Sequence, residues 1–412
     1  MLFRSHHFSE PVVHVLDASR AVPVASSLLS REQKPAFVQQ LRADYEKLRE
    51  QHSGPQTKLL TLEAARANAP ELAYADLPKP DFTGPRVLDD FPLATLREFI
   101  DWSPFFHTWE LRGVYPKILQ HEKYGAEATK LFADANKLLD EIIAKKLLRA
   151  KAVYGFFPAN RVGDDVELYA DESRATVRTK FHFLRQQIDK TDGTPNWCLA
   201  DFVAPRGSSS FSLPGQPGGW TPTDHLGTFA VSTGFGLDEL VKKFKADHDD
   251  YNAIMAEALA DRLAEGFAEF LHQRAREERG FGKVEKFTTE QLIDEQYRGI
   301  RPAAGYPACP DHTEKGTLWK LLDVERSVGI KLTESFAMWP GSSVSGLYFA
   351  HPESKYFAVG KLGRDQMIDY HVRKGMTLGE VERWLGPWLN YNPAEQNFPA
   401  NARVACACGT PH

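Results

Sequence analysis

The stretch Arg301-Pro302-Ala303-Ala304-Gly305-Tyr306-Pro307 packs two prolines and a glycine into seven residues. Such a backbone continues neither a helix nor a strand and holds its polar groups in place. Its guanidinium can take a carboxylate through two parallel hydrogen bonds. The same residues also suit a surface turn whose arginine merely forms a salt bridge. Asp261 and Glu265, four apart in ADRLAEGFAE, share one face of a long helix and read either as a solvated acidic face or as a second acidic site. His312 and Glu314 resemble metal ligands only in type. Within PACPDHTEK they fit a helix start, with Asp311 or Thr313 as cap and Glu314 at the positive end. Cys406 and Cys408 lack a second cysteine pair, so no metal site is expected there.

Elements must position these residues. A chain of 412 residues, 42% hydrophobic and 25% charged, can bury a large core and is too apolar to stay disordered. The net charge of -5, without a dense Lys/Arg block, argues against nucleic acid as partner. No apolar run reaches membrane-span length, and MLFRSHHFSEPVVHVLDASR is interrupted where a secretory leader needs apolar residues. With four scattered cysteines, this fits the cytoplasm.

Residues 11–29 read as a strand, a turn and a short helix, and a helix follows over 32–51 with Phe37, Leu41, Tyr45 and Leu48 on one face. Pro78, Pro80, Pro85 and Pro92 make 52–92 read as a linker, with the compact domain beginning near Leu93 and ending near 395, before a tail over 396–412. Inside it, helices are expected within 115–150, over most of 237–279, and at 314–323, 365–373 and 378–385. Strands are expected at 153–157, 177–183, 331–333, 344–349 and 356–359, and a surface loop at 206–219. Long helices around non-uniform strands make the fold class α+β.

Six long segments resemble one family in its own order: DWSPFFHTWEL (101–111), FFPANRVGDDVELY (156–169), CLADFVAP (198–205), HDDYNAIMAEALADRLAEGFAE (248–269), RGIRPAAGYPACPDHTEK (298–315) and KLTESFAMWPGSSVSGLYFAHPESKYFAVGKLGRDQ (331–366). Over residues 93–392 the chain resembles the activation domain of cobalamin-dependent methionine synthases. VVHVLDASRAVPVASSLLS looks like the end of that family's cobalamin-binding domain, which makes 1–51 a remnant of it. The resemblance implies a mainly antiparallel twisted sheet among long helices. It implies a site for S-adenosylmethionine (AdoMet) formed by Asp101, Glu295, Arg301, Ala303, Tyr306, Tyr356 and Phe357, with Asp261 and Glu265 facing cobalamin.

Each implied role makes chemical sense: Asp101 suits the ligand's ammonium, Arg301 its carboxylate, and acidic or aromatic groups its sulfonium. Taken alone, Asp101 reads rather as a helix-terminal carboxylate beside Trp102 and Phe105, and Tyr356 as an amphipathic strand residue. The implied task is reductive methylation of cob(II)alamin, with the cobalamin-binding module and a flavodoxin-like electron donor as partners. A non-catalytic AdoMet-binding regulatory module would look alike in sequence. A free-standing methyltransferase is least expected, since Gly234-Phe235-Gly236 lacks the rest of a glycine-rich nucleotide fingerprint. The family's homocysteine, folate and cobalt-ligating motifs are missing from the sequence, so methionine formation by this chain alone is not expected.

Overall fold

A computed structural model describes residues 11–13, 15, 18–52, 57–207 and 222–393. Most of the 206–219 loop, the 396–412 tail with Cys406 and Cys408, and His6, His7 and His14 lie outside the described residues. The chain divides into two units between Lys58 and Leu59. The first holds helices α1 (Ala18–Leu29) and α2 (Lys34–His52), and none of the residues whose burial is described there is buried. Residues 11–13 and 15, expected as a strand, lie in none.

The second unit begins well before Leu93. The Leu60 N–H donates to the Gln187 carbonyl at 2.7 Å. Helix α3 (Leu62–Ala67) buries Leu62 and Ala65, Leu72 and Tyr74 are buried beyond it, and strand β1 (Gly84–Phe91) joins the main sheet. Residues 59–91 are therefore packed structure, not the linker expected over 52–92. The prolines that hide any periodicity are compatible with extended chain, and Pro85 is tolerated because β1 is an edge strand.

The main sheet is antiparallel throughout. Its path is β4 (Val177–His182), β3 (Asp165–Tyr169), β2 (Arg149–Val162), β5 (Asp224–Phe235) and β8 (Ser343–Tyr348). A separate hairpin joins β6 (Lys331–Leu332) to β7 (Met338–Trp339). β1 and β3 share one edge of β2, β1 along 150–156 and β3 along 159–162. Gly155 permits that crowding, because a Cβ there would sit 2.4 Å from the Gly84 carbonyl oxygen.

Both sheet faces are covered. On one, Ala152, Tyr154, Phe156, Phe229 and Val231 meet α4 (Leu93–Arg97), α5 (Ser103–Thr108), α6 (Gly125–Ala144), α7 (Leu237–Ala246) and α8 (Asp250–Glu278). Leu259, Leu263, Phe267 and Leu271 recur every four residues along α8 and are fully buried, each contributing about 1.5–3 kcal/mol. A short α9 (Thr289–Ile293) follows α8. On the other face, Val153, Phe157, Leu226 and Ala230 meet α10 (Glu314–Leu322) and α11 (Val324–Val328). Helices α12 (Arg364–Lys374) and α13 (Leu378–Trp384) enclose a smaller core around Val359, Leu362 and Met367. The fold is α+β. Residues 356–359, expected as a strand, form none; the Val359 N–H instead donates to the Pro307 carbonyl at 2.8 Å.

Candidate functional site

The loop from Ile300 to Pro307 rides on the outer edge of β8. Ile300 and Phe349 exchange hydrogen bonds of 3.1 and 3.0 Å, and the Leu347 N–H donates to the Pro302 carbonyl at 3.0 Å. Beyond Pro302 the chain turns back on itself, with the Gly305 N–H donating to the Cys309 carbonyl (2.7 Å) and the Cys309 N–H to the Tyr306 carbonyl (2.9 Å). Gly305 has φ +97°, and a Cβ on it would lie 2.2 Å from the His312 ring, so both conformation and space demand glycine.

This loop forms one wall of a cleft of about 860 Å³, within the usual range for small-molecule sites. Glu295, Arg301, Ala303, Tyr306, Tyr356 and Phe357, named from the sequence, all line it, and so does Glu265. Asp101 and Asp261 are not among the lining residues. Asp101, half-buried before α5, accepts the Ser103 N–H at 2.9 Å, the geometry of a helix-terminal carboxylate. Asp261 accepts the Ser342 hydroxyl at 2.7 Å.

Arg301 is held from several sides. Its backbone N–H donates to the Tyr356 hydroxyl at 3.0 Å. Its guanidinium pairs with Glu269 at 2.7 Å, donates to His272 Nδ1 at 3.2 Å and donates to the Tyr297 hydroxyl. Burial alone would lower the Arg301 pKa, but Glu269 and the neighbouring phenols outweigh it and hold the charge firmly. His272 is driven the other way: burial first, then Arg301 and Arg276, push its pKa well below the usual value and keep it neutral. It stacks on Tyr348 at 5.2 Å and meets the Tyr297 ring edge at 4.9 Å. Because Nδ1 accepts from Arg301, its ring proton sits on Nε2.

Glu269, His272 and Tyr297 were not legible as site residues, yet α8 carried a signal for two of them. Asp261, Glu265, Glu269, His272 and Arg276 follow one another at helical spacings of three and four, a polar ridge on a helix otherwise rich in alanine and leucine. Its middle runs directly against Arg301. Arg301 thus has a structural duty that the loop sequence does not reveal.

His312 and Lys315 line the same cleft, and Lys315 Nζ donates to His312 Nδ1 at 3.1 Å. Glu314 does begin α10, as expected, but is buried and paired with Lys374. Among the described residues, no group of three His, Cys, Asp or Glu side chains could hold a metal ion, and no helix is long and apolar enough to cross a membrane.

The cleft holds cationic Arg301 beside the exposed carboxyl groups Glu265 and Glu295, with Tyr356 and Phe357 as aromatic surface. That donor set suits a ligand carrying a carboxylate, a second charge of positive sign and an aromatic base. Residues 92–375 match the family described as vitamin B12 dependent methionine synthase, activation domain. A crystal structure of the MetH reactivation domain bound to AdoHcy is 53% identical over 82% of this chain and 100% of its own length, with a TM-score of 0.76. With the loop, the cleft and these matches together, the chain belongs to the family of activation domains of vitamin B12-dependent methionine synthase.

Proposed function

We propose that this chain is an AdoMet-binding reactivation module, presenting the AdoMet methyl group for reductive methylation of cob(II)alamin. The observation that carries the proposal is the convergence of Glu295, Arg301, Ala303, Tyr306, Tyr356 and Phe357 on one cleft of about 860 Å³. Arg301 orients the ligand by its carboxylate, and Tyr356 steadies the Arg301 backbone. Glu265 and Glu295 place negative charge where a sulfonium would be favoured. Tyr306, 64% exposed at the cleft, is available to meet a partner as well as the ligand. Asp101 is the proposed counter-charge for the ligand's ammonium. Cobalamin held by its own module would supply the cobalt that accepts the methyl group, and a flavodoxin-like donor would supply the one electron that reductive methylation needs. The contribution of this chain is orientation, which removes entropy from the reacting pair in advance.

Calorimetric titration of AdoMet into the protein tests the first half, and saturable one-to-one binding is expected. Mixing the protein with a cobalamin-loaded module, reduced flavodoxin and AdoMet tests the second. Loss of the cob(II)alamin absorption should require both the chain and AdoMet. Loss at the same rate without the chain would refute the reading.

A further inference from the structure

Glu269 does not line the cleft, yet it supplies the carboxylate paired with Arg301, at 2.7 Å through Oε2. Its other oxygen, Oε1, is buried and has no hydrogen-bond partner. A buried carboxylate normally satisfies both oxygens, so this one is held by a single guanidinium and stands half compensated. Around it on α8 lie Glu265, His272 and Arg276. Glu295 and Tyr297 approach from the segment after α9, Tyr348 from β8 and Tyr356 from beyond it. Arg276 is committed to Glu285 through Nε at 2.8 Å and leaves both terminal nitrogens unpaired. His272 is neutral and brings no charge.

In this arrangement Glu269 holds Arg301 in place and also cancels the charge that a ligand carboxylate would seek. A second carboxylate on the same guanidinium creates two anions on one cation, with Glu265 and Glu295 in the cleft adding more negative charge. Two carboxyl groups sharing one site do not both stay ionised without cost, and the buried one is the easier to protonate. We infer that Glu269 is the positioning counter-ion of Arg301, and that a ligand carboxylate arriving on Arg301 is accompanied by a proton taken from solvent onto Glu269. The inference rests on AdoMet binding in this cleft as proposed above. The proton balance is simple: one proton leaves the buffer and one O–H bond forms on Glu269, with no redox change. Burial already raises the Glu269 pKa in the free protein, opposed by Arg301 and Arg276, so the group is poised in the right direction.

The sign follows. A site that gains a proton on binding loses affinity as pH rises through the window between the free and bound states of Glu269, by up to about tenfold per pH unit. Titrating AdoMet into the full chain, in two buffers of different ionisation enthalpy, reads the proton directly. The parent should take up a substantial fraction of one proton. Glu269→Gln keeps an acceptor for Arg301 but no charge; it should take up none and bind AdoMet at least several-fold more tightly above neutral pH. Decarboxylated AdoMet should show neither proton uptake nor the gain in the variant. If the parent binds AdoMet without proton uptake, or if Glu269→Gln weakens binding, the inference is overturned while the cleft assignment stands. If the parent does not bind AdoMet at all, the proposed function itself fails.

Discussion

Replacing Arg301 with alanine should damage the protein twice. The Arg301–Glu269 pair is close, at 2.7 Å, and largely withdrawn from water, with side chains 19% and 9% exposed. Breaking such a pair from one side costs roughly 3–5 kcal/mol, because the remaining charge stays buried without compensation. A unit spanning Leu59–His412 unfolds with an entropy of about 0.7 kcal/mol/K, so each kcal/mol lowers the melting temperature by about 1.4 °C and a fall of roughly 4–7 °C is expected at neutral pH. Protonation of Glu269 limits the loss, since the carboxyl can shed its charge instead of bearing it. The double change Arg301→Ala with Glu269→Ala should therefore recover part of the stability. AdoMet affinity should not recover, because the carboxylate partner is gone from both proteins; a loss of about 2 kcal/mol or more, some 30-fold, is expected. Arg301→Lys should restore only part of the binding, since an ammonium cannot reproduce the two-pronged contact. Thermal melts without ligand and calorimetric titration with AdoMet separate the two effects. If Arg301→Ala melted with the parent, the account of a buried, mutually dependent pair would be wrong. If it bound AdoMet like the parent, Arg301 would have no part in the ligand's carboxylate.

Gly305→Ala should shift the loop, since its φ of +97° and the 2.2 Å approach to His312 leave no room; an order of 1–3 kcal/mol of strain is expected, read as weakened AdoMet binding and a lower melting temperature. Acidification should destabilise the fold from about pH 6.5 downwards. His225, His272 and His351 all have pKa values depressed mainly by burial, so below 6.5 the unfolded chain gains protons that the folded chain refuses. Chemical denaturation across that range should show stability falling by up to about 1.4 kcal/mol per pH unit for each histidine, and a flat profile would contradict this. Asp101→Asn should keep the Ser103 contact and the melting temperature but weaken AdoMet binding; unchanged affinity would remove Asp101 from the site. Phe267→Ala should cost about 3–5 kcal/mol in stability through an unfilled cavity, measurable by denaturant titration.

The helices were the legible part of the fold, because α6 and α8 carry their apolar residues at helical spacing and α10, α12 and α13 are short and well bounded. The central strands were less so. β5 is buried on nearly every residue, so the alternation that marks a half-wet strand is absent and it went unread. β4, with Phe181 buried and Arg178 and Lys180 exposed, was legible for the opposite reason. β1 hid among prolines, and its pairing depends on partners 59 to 72 residues away in the chain, such as Gly155 opposite Pro85. In the site, the stiff 301–307 loop announced itself, whereas Glu269 and His272 were concealed by belonging to a helix that reads as core. Their meaning comes from what β8 and the loop bring against them, which no local window contains.

The seating of the ligand loop on β8 reaches beyond binding. The path of the main sheet ends at β4 on one side and β8 on the other, with β1 as a further edge beside β2, and an uncovered end strand offers unpaired N–H and C=O groups to any other chain. At β4 the exposed side chains of Arg178 and Lys180 discourage such pairing by charge. At β8 the Pro302 carbonyl takes the Leu347 N–H, and just past the strand Ile300 pairs with Phe349, so backbone groups at that end are already occupied. A change that frees the loop therefore uncovers a template for self-association at the same stroke. If AdoMet fills this cleft as proposed, it should also keep the protein dispersed, and colloidal stability on storage becomes a readout of whether the cleft is filled.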